Sequence, residues 1–92
     1  MEKEWFLYIL ECKNGYLYTG ITTEIKRRIF EHINGTGAKS LRGRKPIRLV
    51  YYEKCASQSI ARKRELAIKN WKRENKIKLI TNKNVNLTGF TP

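Results

Sequence analysis

The sequence predicts an α+β domain, a small three-stranded antiparallel sheet flanked by helices in the order β-β-α-β-α-α. Three observations point to it. Two runs rich in β-formers, Trp5 to Cys12 and Tyr16 to Thr22, flank Asn14-Gly15, a strong short-range hairpin signal. Ile25, Ile29 and Ile33 then recur at the four-residue spacing of a buried helix face. A third β-rich run, Ile47 to Cys55, precedes a segment of helical period. Ninety-two residues leave room for one small core. The domain is assigned to residues 1–81, with 82–92 as a polar tail.

The hairpin loop decides which side chains share a face. A two-residue Asn14-Gly15 turn pairs Lys13 with Tyr16 and puts Tyr8 and Tyr18 on opposite faces. A three-residue loop over Lys13, Asn14 and Gly15 pairs Cys12 with Tyr16 and Leu10 with Tyr18, so both phenols face one way. The three-residue loop is the expectation, because it lets both phenols serve one site.

Thr22 or Thr23 is expected to cap a helix from about Glu24 to Asn34, ended by Gly35 in the left-handed region. Arg28 and His32 lie four apart, one turn above the other beside the isoleucine stripe. The segment from Gly35 to Pro46 reads as a glycine-rich basic loop without an acid. After the third strand, Ser57 or Ser59 is expected to cap a helix to about Trp71. Its apolar arc is Ile60, Ala61, Ala67, Ile68 and Trp71. At about 100° per residue, Glu65 falls on the rim of that arc, and Arg64 falls inside it. The chain continues as helix from Lys72 to Ile80 after a bend near Trp71.

The chain is 40% hydrophobic, enough to fold, and carries a formal net charge of +12. So one-sided a balance on a small domain points to a polyanionic partner. Cys12 and Cys55 fall in strands without close metal-ligand spacing, and read as buried reduced thiols. No signal peptide and no apolar run near the ~20 residues of a membrane helix is found, so no membrane and a cytoplasmic location are expected. The basic loop lacks the residue order of a nucleotide-binding P-loop, which argues against an ATPase.

Tyr8, Tyr18, Arg28, His32 and Glu65 are the candidate catalytic residues. Each has a plainer reading: strand tyrosines pack with wet tips, a helix arginine is solvated, a lone histidine is structural, and a helix glutamate sits on the surface. Their joint spacing favours chemistry. A guanidinium grips two phosphate oxygens at once, and one carboxylate suffices for a hard cation that also binds phosphates. Lys39, Arg42, Arg44 and Lys45 cluster with glycines that admit a phosphate backbone, and are the candidate nucleic-acid contacts.

Phe6-Leu7-Tyr8-Ile9-Leu10, Tyr18-Thr19-Gly20, Arg27-Arg28 with His32, the loop Gly37-Ala38-Lys39 with Arg42 and Arg44-Lys45-Pro46, and the helix Ala61 to Lys69 with Glu65 resemble, in that order, the motifs of the GIY-YIG nuclease superfamily. The match is closest to its small single-domain branch and covers about Trp5 to Ile80. The resemblance implies a metal-dependent endonuclease acting on phosphodiester bonds in DNA rather than RNA, branched or damaged DNA included. Tyr8 would position or polarise the attacking water, Tyr18 would be the general base, directly or through a metal-bound water, Arg28 would stabilise the pentacovalent phosphate and His32 would assist proton movement. Glu65 would bind one Mg²⁺ or Mn²⁺. The chain departs from the pattern in having Phe-Leu-Tyr as its first motif. Ile21 stands where many members have a basic residue, and Asn70 and Asn75 are the candidates for a late asparagine. The alternatives are a non-catalytic nucleic-acid-binding module on the same fold and a basic protein–protein adaptor.

Overall fold

The structure, a computed structural model, describes residues 3–35 and 43–82. The polar tail therefore lies outside the described residues, except that Asn82 ends a helix. The elements are β1 (Trp5–Cys12), β2 (Leu17–Thr22), α1 (Ile25–Ile33), β3 (Pro46–Cys55), α2 (Gln58–Lys69) and α3 (Arg73–Asn82). The sheet is antiparallel, in the order β2-β1-β3. Its central strand is apolar from Trp5 to Leu10, and both of its faces are covered.

One face packs Tyr8, Leu10 and Cys12 against Ile25 and Ile29 of α1. The other packs Leu7 and Ile9 against Ala61 and Ile68 of α2, with Leu79 and Ile80 of α3 at the margin. The three-residue hairpin is the one observed: Leu10 pairs with Tyr18, the Cys12 amide donates to the Tyr16 carbonyl at 2.8 Å, and Asn14 and Gly15 both take positive φ. Tyr8 therefore pairs across Gly20, on the same face as Tyr18.

β3 carries two irregularities against β1, between Ile9 and Leu10 and between Glu11 and Cys12. At the first, Ile9 pairs with Tyr51 and Leu10 with Leu49, so Val50 is the extra residue. The bulge reverses the alternation. Leu49 faces α1, whereas Tyr51, two residues on, faces α2.

Two local expectations change. The N-cap of α1 is Glu24, and no side chain caps it; the Thr22 hydroxyl instead accepts from the Glu24 amide at 3.1 Å, one step before the helix. A threonine two residues ahead of the N-cap closes a local turn rather than reaching into the first helical turn. In α2, Ser57 is the cap, accepting from the Ile60 amide at 3.2 Å, but Ile60 and Ala67 are exposed. The buried line of α2 is Ala61, Glu65 and Ile68. The helix is rotated so that a carboxylate, not an isoleucine, turns inward. Arg64, which the apolar arc does not explain, donates to Glu53 at 3.0 Å and lies over the Trp71 ring at 5.3 Å.

Candidate active site

Tyr8 leans across β2. A Cβ built on Gly20 would lie 2.5 Å from the Tyr8 hydroxyl oxygen, 2.6 Å from its Cζ and 3.1 Å from Tyr18 Cε2. The glycine is thus required by contact: only a residue without a side chain lets the Tyr8 ring cross the strand to its edge. Tyr8 is buried and Tyr18 half-buried, with ring centroids 6.3 Å apart.

α1 brings the next two groups from above. The Tyr8 hydroxyl is 2.7 Å from His32 Nε2, and the His32 ring lies 5.3 Å from that of Tyr18. His32 is 1% exposed. Burial, and then the Arg28 charge, lower it from 6.5 to about 4, so the imidazole is neutral near pH 7. The Arg28 guanidinium is near enough for its charge to favour the Tyr8 phenolate, and it donates to Glu31 on α1 at 3.3 Å. A neutral imidazole has one donor and one acceptor nitrogen, so the His32 tautomer sets which partner gives the proton in the Tyr8–Nε2 hydrogen bond. Burial first, and the neighbouring Tyr18 second, push the Tyr8 phenol above its usual range, against the pull of Arg28. Tyr8 is therefore a fixed neutral phenol.

Glu65 comes from α2, on the far side of the sheet, at the β2 edge. Its charge is close enough to disfavour the Tyr8 phenolate further. Only 5% exposed, it is held by Arg62 at 2.9 Å and by Lys69 at 3.3 Å, one cation on each oxygen. Lys69 also lies 6.0 Å from the Tyr18 ring centroid. Lys69 was missed in the sequence. Its spacing, four residues after Glu65 on a helix, was the available signal.

The structure thus gathers Tyr8, Tyr18, Arg28 and His32 at one edge of the sheet and sets Glu65 beside them. Of the candidate nucleic-acid contacts, Lys39 and Arg42 lie outside the described residues. Arg44 and Lys45 are exposed just before β3, where their carbonyls accept from the Lys13 amide at 3.1 and 3.0 Å. Arg44 lies 4.1 Å over the Tyr16 ring. Among the described residues no cluster of three His, Cys, Asp or Glu side chains forms a metal cage, and no helix is long and apolar enough to cross a membrane. Cys12 and Cys55 are free and buried, and burial raises both thiols.

The family model for the GIY-YIG catalytic domain matches residues 4–78. The UPF0213 protein SSP2268 of Staphylococcus saprophyticus is 47% identical over 76 residues, which cover 83% of this chain and 93% of that protein. The UPF0213 protein plu4503 of Photorhabdus laumondii is 46% identical over 79 residues, covering 86% of this chain and 76% of that one. Two solution NMR structures share the fold. The UPF0213 protein BH0048 of Bacillus halodurans has 44% identity and a TM-score of 0.57, with 87% of this chain and 85% of that one covered. EF2693 of E. faecalis has 37% identity and a TM-score of 0.59, with 92% and 94% covered. With the two tyrosines, the arginine and the histidine at one sheet edge and this match over most of its length, the chain belongs to the GIY-YIG nuclease family, among its small single-domain UPF0213 proteins.

Proposed function

We propose that this chain is a metal-dependent endonuclease that hydrolyses phosphodiester bonds in DNA, branched or damaged DNA included. One observation carries the reading: the Tyr8 hydroxyl, buried against Gly20 and Tyr18, is hydrogen-bonded to a neutral imidazole and lies in the field of a guanidinium. A buried phenol tied to a buried histidine at the sheet edge is a positioned polar atom.

The roles follow from donor and acceptor logic. With Nε2 as the acceptor, His32 holds the Tyr8 proton and leaves a Tyr8 lone pair to accept from, and so orient, the attacking water. Tyr18 is the base for the proton that leaves that water. Lys69, 6.0 Å from the Tyr18 ring centroid, is the cation nearest to hand for the negative charge that this step leaves. Arg28, about one third exposed, keeps an outer edge of N–H groups for the phosphoryl oxygens as charge builds on them.

A hard divalent cation fits this donor set, since Mg²⁺ or Mn²⁺ on a phosphate needs few protein ligands and Glu65 supplies a fixed carboxylate. Glu65 would hold it, with the half-exposed Lys69 side chain moving off the Oε2 atom. When bound, such an ion supplies charge neutralisation at the leaving oxygen.

The test is cleavage of branched, nicked and single-stranded DNA with Mg²⁺ or Mn²⁺, with matching RNA in parallel. Arg28→Ala and Glu65→Ala serve as controls. Cleavage that needs both side chains supports the proposal. Binding without cleavage on every substrate supports the second reading, a non-catalytic module on the same fold. That reading has one observation of its own: both Glu65 oxygens already have cationic partners.

A further inference from the structure

Most of the arginines described are paired. Arg27, Arg28, Arg48, Arg62 and Arg64 each face a carboxylate, as do Lys54 and Lys69. At the hairpin end of the sheet the pattern breaks. Lys13 from the hairpin loop, Arg44 from the turn before β3 and Arg73 from the first residue of α3 line one notch of about 410 Å³, together with Tyr16. None of the three is in an ion pair with a carboxylate among the described residues. They come from segments far apart in the sequence, so helical spacing does not explain their meeting.

Two of the cations are fixed. The Arg73 guanidinium donates to the Gly15 carbonyl, and its Nη2 sits 3.1 Å from where a Gly15 Cβ would be. Arg44 Cζ lies 4.1 Å from the centroid of the Tyr16 ring, a residue 37% exposed, while the Arg44 carbonyl accepts from the Lys13 amide. Holding like charges together without an acid opposes folding, and nothing in the core gains from it. The arrangement suits an anion that arrives from outside and meets cations already in place.

We propose that this notch is a second phosphate-binding subsite, which grips the nucleic-acid backbone outside the candidate catalytic site. It rests on the reading of the chain as a nucleic-acid enzyme, and adds residues from the hairpin and α3 to that reading. The Cys12–Tyr16 end of the hairpin is four residues along β1 from Tyr8, about 13 Å at ~3.3 Å per residue. At ~3.4 Å of axis per nucleotide, a strand of roughly four nucleotides spans that distance. One substrate strand can therefore touch both places.

The experiment is equilibrium binding of a fluorescently labelled single-stranded DNA across a salt series, read without reference to cleavage. Parent protein, Lys13→Gln, the double variant Lys13→Gln/Arg44→Gln, and Lys63→Gln on the exposed surface of α2 are compared. Each cation removed from the notch is expected to weaken binding about fivefold near 0.1 M salt and to lower the slope of log K against log salt by about 0.7. Lys63→Gln should keep the parental slope. Parental affinity and slope in the double variant would overturn the subsite, as would an equal loss in Lys63→Gln, which would mean that net charge alone is felt. Lys13 is exposed, so its single variant gives the answer even where the double variant folds poorly. The subsite and the nuclease reading fail separately. A chain that cuts but keeps its slope in the variants loses the subsite alone, and a chain that never cuts but loses slope keeps the subsite and loses the nuclease.

Discussion

The two faces of the sheet each bury a tyrosine beside an arginine, and only one of the pairs is built for a visitor. On the α2 face, the Tyr51 hydroxyl donates to Glu53, which also accepts from Arg64 Nε at 3.0 Å and Nη2 at 3.4 Å. Arg64 is in turn covered by Trp71. The carboxylate ends every hydrogen bond in the cluster, and its charge cancels that of the guanidinium. On the α1 face, the Tyr8 hydroxyl is hydrogen-bonded to a neutral imidazole, and Arg28 is paired with a half-exposed Glu31. Burial first raises both phenols above the usual range. The same residue types therefore give a closed structural knot where an internal acid terminates them, and an open site where none does.

The largest effect should fall on the open side. Tyr18→Phe is expected to lower cleavage by at least about a thousandfold, or ~4 kcal/mol in the barrier, with the melting temperature nearly unchanged. A variant that cuts like the parent removes the assigned base. Gly20→Ala comes next. The added methyl overlaps the Tyr8 hydroxyl, so stability should fall by about 3 kcal/mol in a denaturant titration. A neutral result would mean that Tyr8 does not cross the strand there.

The histidine sharpens the contrast through pH. In the folded protein His32 titrates at about 4, below its ordinary 6.5. The unfolded chain therefore takes up the proton first, and stability present above pH 6.5 is lost as pH falls toward 4. The size is at most on the order of 3 kcal/mol. His32→Gln keeps an acceptor for Tyr8 and should lose less stability over that window, as judged by unfolding curves at several pH values. The smallest effect belongs to the closed knot. Tyr51→Phe removes one hydrogen bond from Glu53, which keeps Arg64, and should cost about 1 kcal/mol while leaving any cleavage untouched.

Much of this was legible in the chain order. The Asn14-Gly15 turn, with its left-handed backbone, sets the hairpin loop, and the loop's length puts Tyr8 and Tyr18 on one face. The isoleucine period sets which side of α1 is buried, and with it the inward turn of His32. These are local matters of residue spacing and backbone freedom, which the order of residues carries by itself. Other features depend on elements meeting. The bulge at Val50, which sends Leu49 and Tyr51 to opposite faces, comes from matching two strands of unequal course. The inward turn of Glu65 in place of Ile60 follows from how α2 docks, and docking depends on shape complementarity between distant segments. The notch that joins Lys13, Arg44 and Arg73 exists only because three separate segments end at one corner, and no spacing along the chain records that meeting.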